Sequence, residues 1–321
     1  MGFLSLLFAL VIEQVRPFAG GVQLRTWGAS WIDWALENFD AGASGQGMVC
    51  WSIAALLPAG MVIAIHWALA LWLGWFSAFV WNVAVLYATL GFRQFSHYFT
   101  EIRGALESGD DATARRLLQD WTGQLSGEPG RSEMIRLLVV QSVVSAHRHV
   151  FGVFTWYSLG SLLGLGPAGA VVYRMGAYMQ VRTGLSTDAG SRASLAAQRF
   201  ARQMWWFLDW LPVRLTAMGF AFVGSFEESI ELWRRWELLR PGDNDALLIA
   251  ATSGAIGMQL AEPVAHAPGQ GWADASAAHA GVSWQKSPQI GHLAAVVGLV
   301  WRTVVMWLVL LALMTLARLL G

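Results

Sequence analysis

The chain has 321 residues, of which 55% are apolar and 13% charged, with 19 Trp and a formal net charge of zero. That composition lies outside the ordinary soluble range, and balanced charge without a clustered basic face gives no footing for a nucleic-acid partner. Cys50 is the sole cysteine, so no intrachain disulfide forms. An all-α, polytopic integral membrane protein is predicted.

Phe3–Ile12 is apolar but too short to span a bilayer, which takes about 20 helical residues. It lacks a basic leader and runs into Glu13 and Arg16, so it reads as a buried or half-embedded helix rather than a cleaved signal peptide. Trp27, Trp31 and Trp34 recur at helical spacing, which fits a membrane-interface belt or core packing. Ala41–Gly47 reads as a linker, and Trp51–Leu73 as the first spanning helix. Gly74-Trp75 breaks that helix and Phe76–Phe92 supplies another apolar span. A turn so short makes the pair an antiparallel hairpin with both outer ends on one membrane face.

Residues 93–133 are polar. Phe95, Phe99, Ile102 and Leu106, then Ala114, Leu117, Leu118 and Trp121, lie at helical spacing around Gly109-Asp110-Asp111, a helix stop and N-cap. Arg93, Arg103, Arg115, Arg116 and Arg131 place this helical hairpin in the cytoplasm. Met134–Tyr173 is apolar at both ends, interrupted at His147-Arg148-His149 and broken at Gly164-Leu165-Gly166-Pro167. A single crossing would leave the arginines from Arg174 to Arg202 outside, so a broken or re-entrant hairpin is expected.

Met175–Ser194 reads as a polar connection, followed by a helix carrying Arg199 and Arg202 into Trp205-Trp206. Phe226–Leu239 reads as an interfacial amphipathic helix with Glu231 and Arg235 in the favoured order. Ala246–Leu260 carries Ala250, Ser253, Gly254 and Gly257 at close-packing spacing. Residues 261–290 read as a mobile loop whose His266 and His279, with His292 beyond it, are too spread for a metal site. Leu293–Leu320 is the last span. The total is about four to five membrane segments in one domain covering 1–321, with the cytoplasmic hairpin as an insert.

The segment FLDWLPVRLTAMGFAFVG stands out because Asp209 and Arg214 lie in apolar sequence, where ionisable groups are costly. LDWLPVRL resembles the N-W-I-P-A-R-L-like segment of the CobD/CbiB membrane family. RPGDNDALLIAATSGAIGMQLAEP resembles that family's P-N-x-G…A-M-A-G-A-L-G-V-x-L-G-G segment, and IRGALESGDDATARRLL its A-L…G-D…A-R-x-x-L element. The resemblance implies a multi-pass protein of the bacterial inner membrane. It implies one of two kinds: an adenosylcobinamide-phosphate synthase, or an AmpE-type relative linked to β-lactamase induction.

For a synthase the resemblance implies ATP-dependent amide ligation of adenosylcobyric acid to an aminoalkyl phosphate, with Mg²⁺. The synthases' E-S-x-A-E-N-x-x-D-like run falls on QSVVSAHRH, where Gln141, Ser145, Ala146 and His149 replace the two Glu, the Asn and the Asp. The G-R-D-T turn becomes SGEPGRSEM and N-T-x-D-S-M becomes VVYRMGAYM. No Walker-type or G-x-G-x-x-G segment replaces them. The expectation is therefore a non-catalytic AmpE-type protein of envelope or β-lactamase-induction signalling, unable to restore cobalamin synthesis. The alternatives are a divergent synthase and a transporter-like or ligand-binding module. No cofactor is expected, with ATP and Mg²⁺ only for the synthase. The expected partners are the lipid bilayer and an anionic small molecule or an envelope-signalling protein.

The candidate polar site comprises His147, Arg148, His149, Asp209, Arg214 and Asn244, a set able to take an anionic headgroup or phosphate. Alternatively, Arg148 pairs Asp209 to fix helix packing. Pro212 lacks an N–H and frees a backbone carbonyl that Arg214 could use. Arg214 is expected to face a protein-lined polar cavity rather than lipid.

Overall fold

The computed structural model describes residues 2–15, 21–42, 44–123, 127–184, 193–260 and 286–320. Among them the regular elements are helices, joined by one isolated bridge between Met258 and Lys286. Three stretches are long and apolar enough to cross a membrane: Gly45–Trp72, Arg131–Leu162 and Gly291–Arg318. Shorter apolar helices cover Gly2–Val15 and Trp75–Thr89. Leu56, Leu57 and Met61 on the first stretch and Val309, Leu313 and Met314 on the last are exposed. Apolar surface of that extent is the mark of a lipid-facing protein. The chain is an all-helical, polytopic membrane protein.

The chain divides into two compact units. The first holds residues 1–93, 148–212 and 310–321. In it α1 (Gly2–Val15) packs on α4 (Trp75–Thr89), and α2 (Gly21–Phe39) on α3 (Ser44–Trp72). Gly74 makes the α3–α4 turn with φ +86°, a conformation costly for any residue with a Cβ. The expected break at 164–167 is present between α8 (Gly152–Leu162) and α9 (Ala168–Gly184), which pack together. A Cβ on Gly169 would lie 2.1 Å from the Trp156 carbonyl oxygen, so α8 and α9 meet almost backbone to backbone.

α9 runs to Gly184, into the stretch expected to be a polar connection. Its arginines find partners inside the unit. Arg174 donates to the Tyr178 hydroxyl at 3.0 Å, and Arg182 pairs with Asp33 of α2. Helix α10 (Leu195–Val223) begins where Asp40 receives both the N–H and the hydroxyl of Ser194, at 2.7 and 2.6 Å.

The second unit holds residues 94–147 and 213–309. The expected helical hairpin is α5 (Phe92–Ser108) and α6 (Asp111–Thr122). Phe99, Ile102, Leu106, Ala114 and Leu118 are buried at the predicted spacing, while the Phe95 side chain lies outside the described set. Asp110 caps α6 by accepting from Thr113 N at 3.0 Å. α7 (Arg131–Ala146) packs on α6 and on α12 (Asn244–Ile256).

The closest packing in this unit joins α11 (Phe226–Leu239) to α12. A Cβ on Gly254 would lie 2.5 Å from Ser229 Cα, and one on Gly224 would lie 2.6 Å from Ala255 O. Gly257 ends α12 in the left-handed region rather than packing a helix face. α13 (Gly291–Leu320) closes the chain. Residues 261–285 of the expected mobile loop, with His266 and His279, lie outside the described residues.

Candidate functional site

The six residues singled out from sequence fall in both units. The helix running from α7 into α8 is widened to a π turn at His147–Phe151, a feature frequent at functional sites, and all but His147 of this turn belongs to the first unit. It presents Arg148, whose guanidinium carbon lies 5.6 Å from the centre of the Trp205 ring. His149 occupies the space where a Cβ on Gly91 would fall, 2.7 Å from its Cδ2.

Trp205 and Asp209 lie four residues apart on α10 and so share a face. Tyr173 bridges them. Its ring packs at 5.2 Å on Trp205, and its hydroxyl donates to Asp209 Oδ1 at 2.7 Å. Tyr173 reaches this position because Gly152 has no side chain. A Cβ there would lie 2.2 Å from the ring. The charges of Arg148 and Arg174 both act at the Tyr173 hydroxyl alongside Asp209. A buried carboxylate is tolerable when hydrogen-bonded and surrounded by opposite charge.

Pro212 sits inside an unbroken α10, and the carbonyl it frees is that of Leu208. Trp156 Nε1 donates to this oxygen at 2.8 Å, so an indole takes the acceptor expected for Arg214.

In the second unit Arg214 Nη2 lies 3.1 Å from Glu237 Oε1, and Trp233 Nε1 donates to Glu237 Oε2 at 2.9 Å. Arg214 lines an open-sided depression together with Trp236, Glu237, Arg240, Asp243 and Asn244. Gly242, at φ +82°, turns the chain from α11 to α12 and also lines it. Asp243 Oδ1 accepts from Ala246 N at 3.0 Å and caps α12, while its Oδ2 lies 3.9 Å from Arg240 Nη1. His147 is buried in this unit, with Nδ1 2.9 Å from Thr216 Oγ1. Of the six, Arg214 and Asn244 thus line one depression.

Tyr173, Trp205, Glu237, Arg240 and Asp243 were not singled out from sequence. Two of them carry a local signal, the i,i+4 pairs Trp205–Asp209 and Trp233–Glu237. Mg²⁺ needs hard oxygen donors, and among the described residues no three His, Cys, Asp or Glu side chains come together. Asp209 accepts from the Tyr173 phenol, Glu237 faces a guanidinium and an indole, and Asp243 caps a helix. This donor set does not fit a protein-held Mg²⁺.

A family model described as CobD/Cbib protein matches residues 3–280. A cobalamin biosynthesis protein CobD of Stutzerimonas stutzeri is 24% identical over 284 residues, covering 86% of each chain. One of the same name from Chromobacterium violaceum is 28% identical over 181 residues, 56% of this chain and 54% of the relative. No solved structure matches. These relatives correct the expected function: they carry cobalamin-biosynthesis names over most of the chain, against the non-catalytic AmpE-type signalling role. The loss of three short motifs, without a nucleotide-binding segment to replace them, was too local a basis for that role. The chain belongs to the CobD/CbiB family.

Proposed function

We propose that this protein is a divergent adenosylcobinamide-phosphate synthase, working in cobalamin biosynthesis from the bacterial inner membrane. The observation that carries the reading is the family match over residues 3–280, joined by a relative named for cobalamin biosynthesis over 86% of its length. The reaction class is amide formation, in which a corrinoid carboxylate joins the amine of an aminoalkyl phosphate while ATP is cleaved. The residues that keep the family's motifs, Arg214 in PVRL and Asn244 in RPGDN, line the depression of the second unit. That placement supports a site of ligand contact there. The run 141–149 lacks the synthases' carboxylates, so nucleotide handling is assigned to no residue.

The test is complementation. Expression in a strain lacking the synthase is expected to restore cobalamin-dependent growth, with the amide product detected by mass spectrometry of corrinoid extracts. No rescue by protein shown to be in the membrane would overturn the reading.

A further inference from the structure

Between His292 and Arg318 the last apolar helix holds a single ionisable residue, Arg302, which lies beyond the 3–280 stretch matched by the family model. One face of α13 packs on protein. Leu299, Thr303 and Val304 are buried, and a Cβ on Gly219 of α10 would lie 2.9 Å from Thr303 Cγ2. Arg302 lies on the opposite face, exposed alongside Val305 and Val309. A charge facing lipid is costly, and such residues mark functional positions by default.

Depth narrows what can meet it. α13 has 30 residues, about 45 Å of helix. Against a hydrocarbon core of about 30 Å it leaves about 7 Å outside at each end if centred. The Arg302 backbone is then about 9 Å inside the core, and Gly298 only about 3 Å inside, on the side where the helix begins. Helical side chains lean toward the start of their helix, and Arg302 Nε donates to Gly298 O at 3.1 Å. The guanidinium is thus drawn back toward the nearer headgroup layer, as a snorkelling arginine is.

That bond uses one of five N–H donors. Among the described residues no carboxylate pairs with Arg302. The surface between the guanidinium and the start of the helix is also cut away. Gly298 has no side chain, a Cβ there would lie 3.9 Å from Arg302 Nη2, and Ala294 and Ala295 are exposed. Helical spacing puts these small residues on the face of Arg302, so a shallow notch leads from the membrane surface to the charge.

We propose that this notch holds the headgroup of an anionic phospholipid, with its phosphodiester on the Arg302 guanidinium and an acyl chain along Val305 and Val309. The guanidinium fork matches phosphate oxygens, and the pair gains strength in the low dielectric near the acyl boundary. A headgroup of net negative charge neutralises Arg302, whereas a zwitterionic one brings an ammonium that repels it. Trp301, 38% exposed beside it, suits the interface at which such a headgroup lies. The inference rests on α13 and does not require the proposed reaction.

The full chain in mild detergent is offered equimolar phosphatidylglycerol and phosphatidylethanolamine, and bound lipid is counted by native mass spectrometry. Wild type is expected to retain phosphatidylglycerol roughly tenfold over phosphatidylethanolamine. Arg302→Leu should erase that preference while its melting temperature in lipid-free detergent stays equal or rises, since leucine suits an exposed apolar face. Gly298→Leu keeps the charge but fills the notch, and should reduce bound phosphatidylglycerol roughly tenfold. Equal retention of the two lipids by wild type, or wild-type retention in either variant, would overturn the proposal. So would a lower melting temperature of Arg302→Leu without lipid, which would give the guanidinium a protein partner, in this chain or in a second copy.

Discussion

Asp209 in the first unit is 1% exposed and meets a phenol, whereas Glu237 in the second is 45% exposed and meets a guanidinium. The first arrangement is buried: Gly152 makes room for Tyr173, Trp205 packs on it at a tilt, and Arg148 lies over Trp205. The second is open, with its groups around a depression. A buried charge costs several kcal/mol if its partners are removed, while a half-exposed pair holds about 0–1 kcal/mol. The closed cluster is therefore committed to holding helices together, and the open one is free to exchange partners with a ligand.

The largest expected effect strikes the closed cluster. Asp209→Ala should cost about 3–5 kcal/mol, read as a large drop in melting temperature in detergent. Asp209→Asn keeps an acceptor for the Tyr173 hydroxyl and should cost clearly less. Equal losses would mean that charge, not the hydrogen bond, sets the value of this position. Tyr173→Phe comes next, at about 1.5–3 kcal/mol for a hydrogen bond to a charged acceptor.

Glu237→Gln in the open cluster should change stability by at most about 1 kcal/mol, because its pair with Arg214 is solvent-screened. A loss matching that of Asp209→Ala would abolish the distinction between the clusters.

The smallest effect lies at Asp110, fully outside the membrane segments. Thr113 N–H bonding holds its carboxyl below the ordinary value of 3.8. A lowered folded value means the cap contributes fully above pH 3.8 and is lost as pH falls through the folded value. Amide exchange at the start of α6 should therefore speed up in acid. Asp110→Asn, which still caps, should remove that pH dependence. Persistence of the acid response in this variant would assign it to another group.

The reason some of this was legible in the sequence is locality. The α5–α6 hairpin, the Gly74 turn and the 164–167 break are each encoded within a few residues, by spacing or by glycines that need positive φ. What was not legible depends on distant partners. The end of α9 looked like a connection because Arg182 is neutralised by Asp33, 149 positions away. Pro212 looked like a weak point because the indole that repairs it is 52 positions away. Arg214 was recognised, but its partner Glu237 lies across the α10–α11 turn and carried no motif. The candidate site was half visible for the same reason: motif residues were seen, and the charges that balance them were not.

The backbone contact between α11 and α12 has a consequence for the speed of binding. Ser229 against Gly254 and Ala255 against Gly224 fix the far end of the hairpin, while the turn bearing Arg240 and Asp243 is held by Arg240 N–H on Trp236 O at 2.8 Å and Ala246 N–H on Asp243 Oδ1 at 3.0 Å. A ligand arriving there has little backbone to organise, so little entropy is lost in ordering the site. Association should then follow a single phase whose rate rises linearly with ligand concentration, with no plateau from a slow closing step.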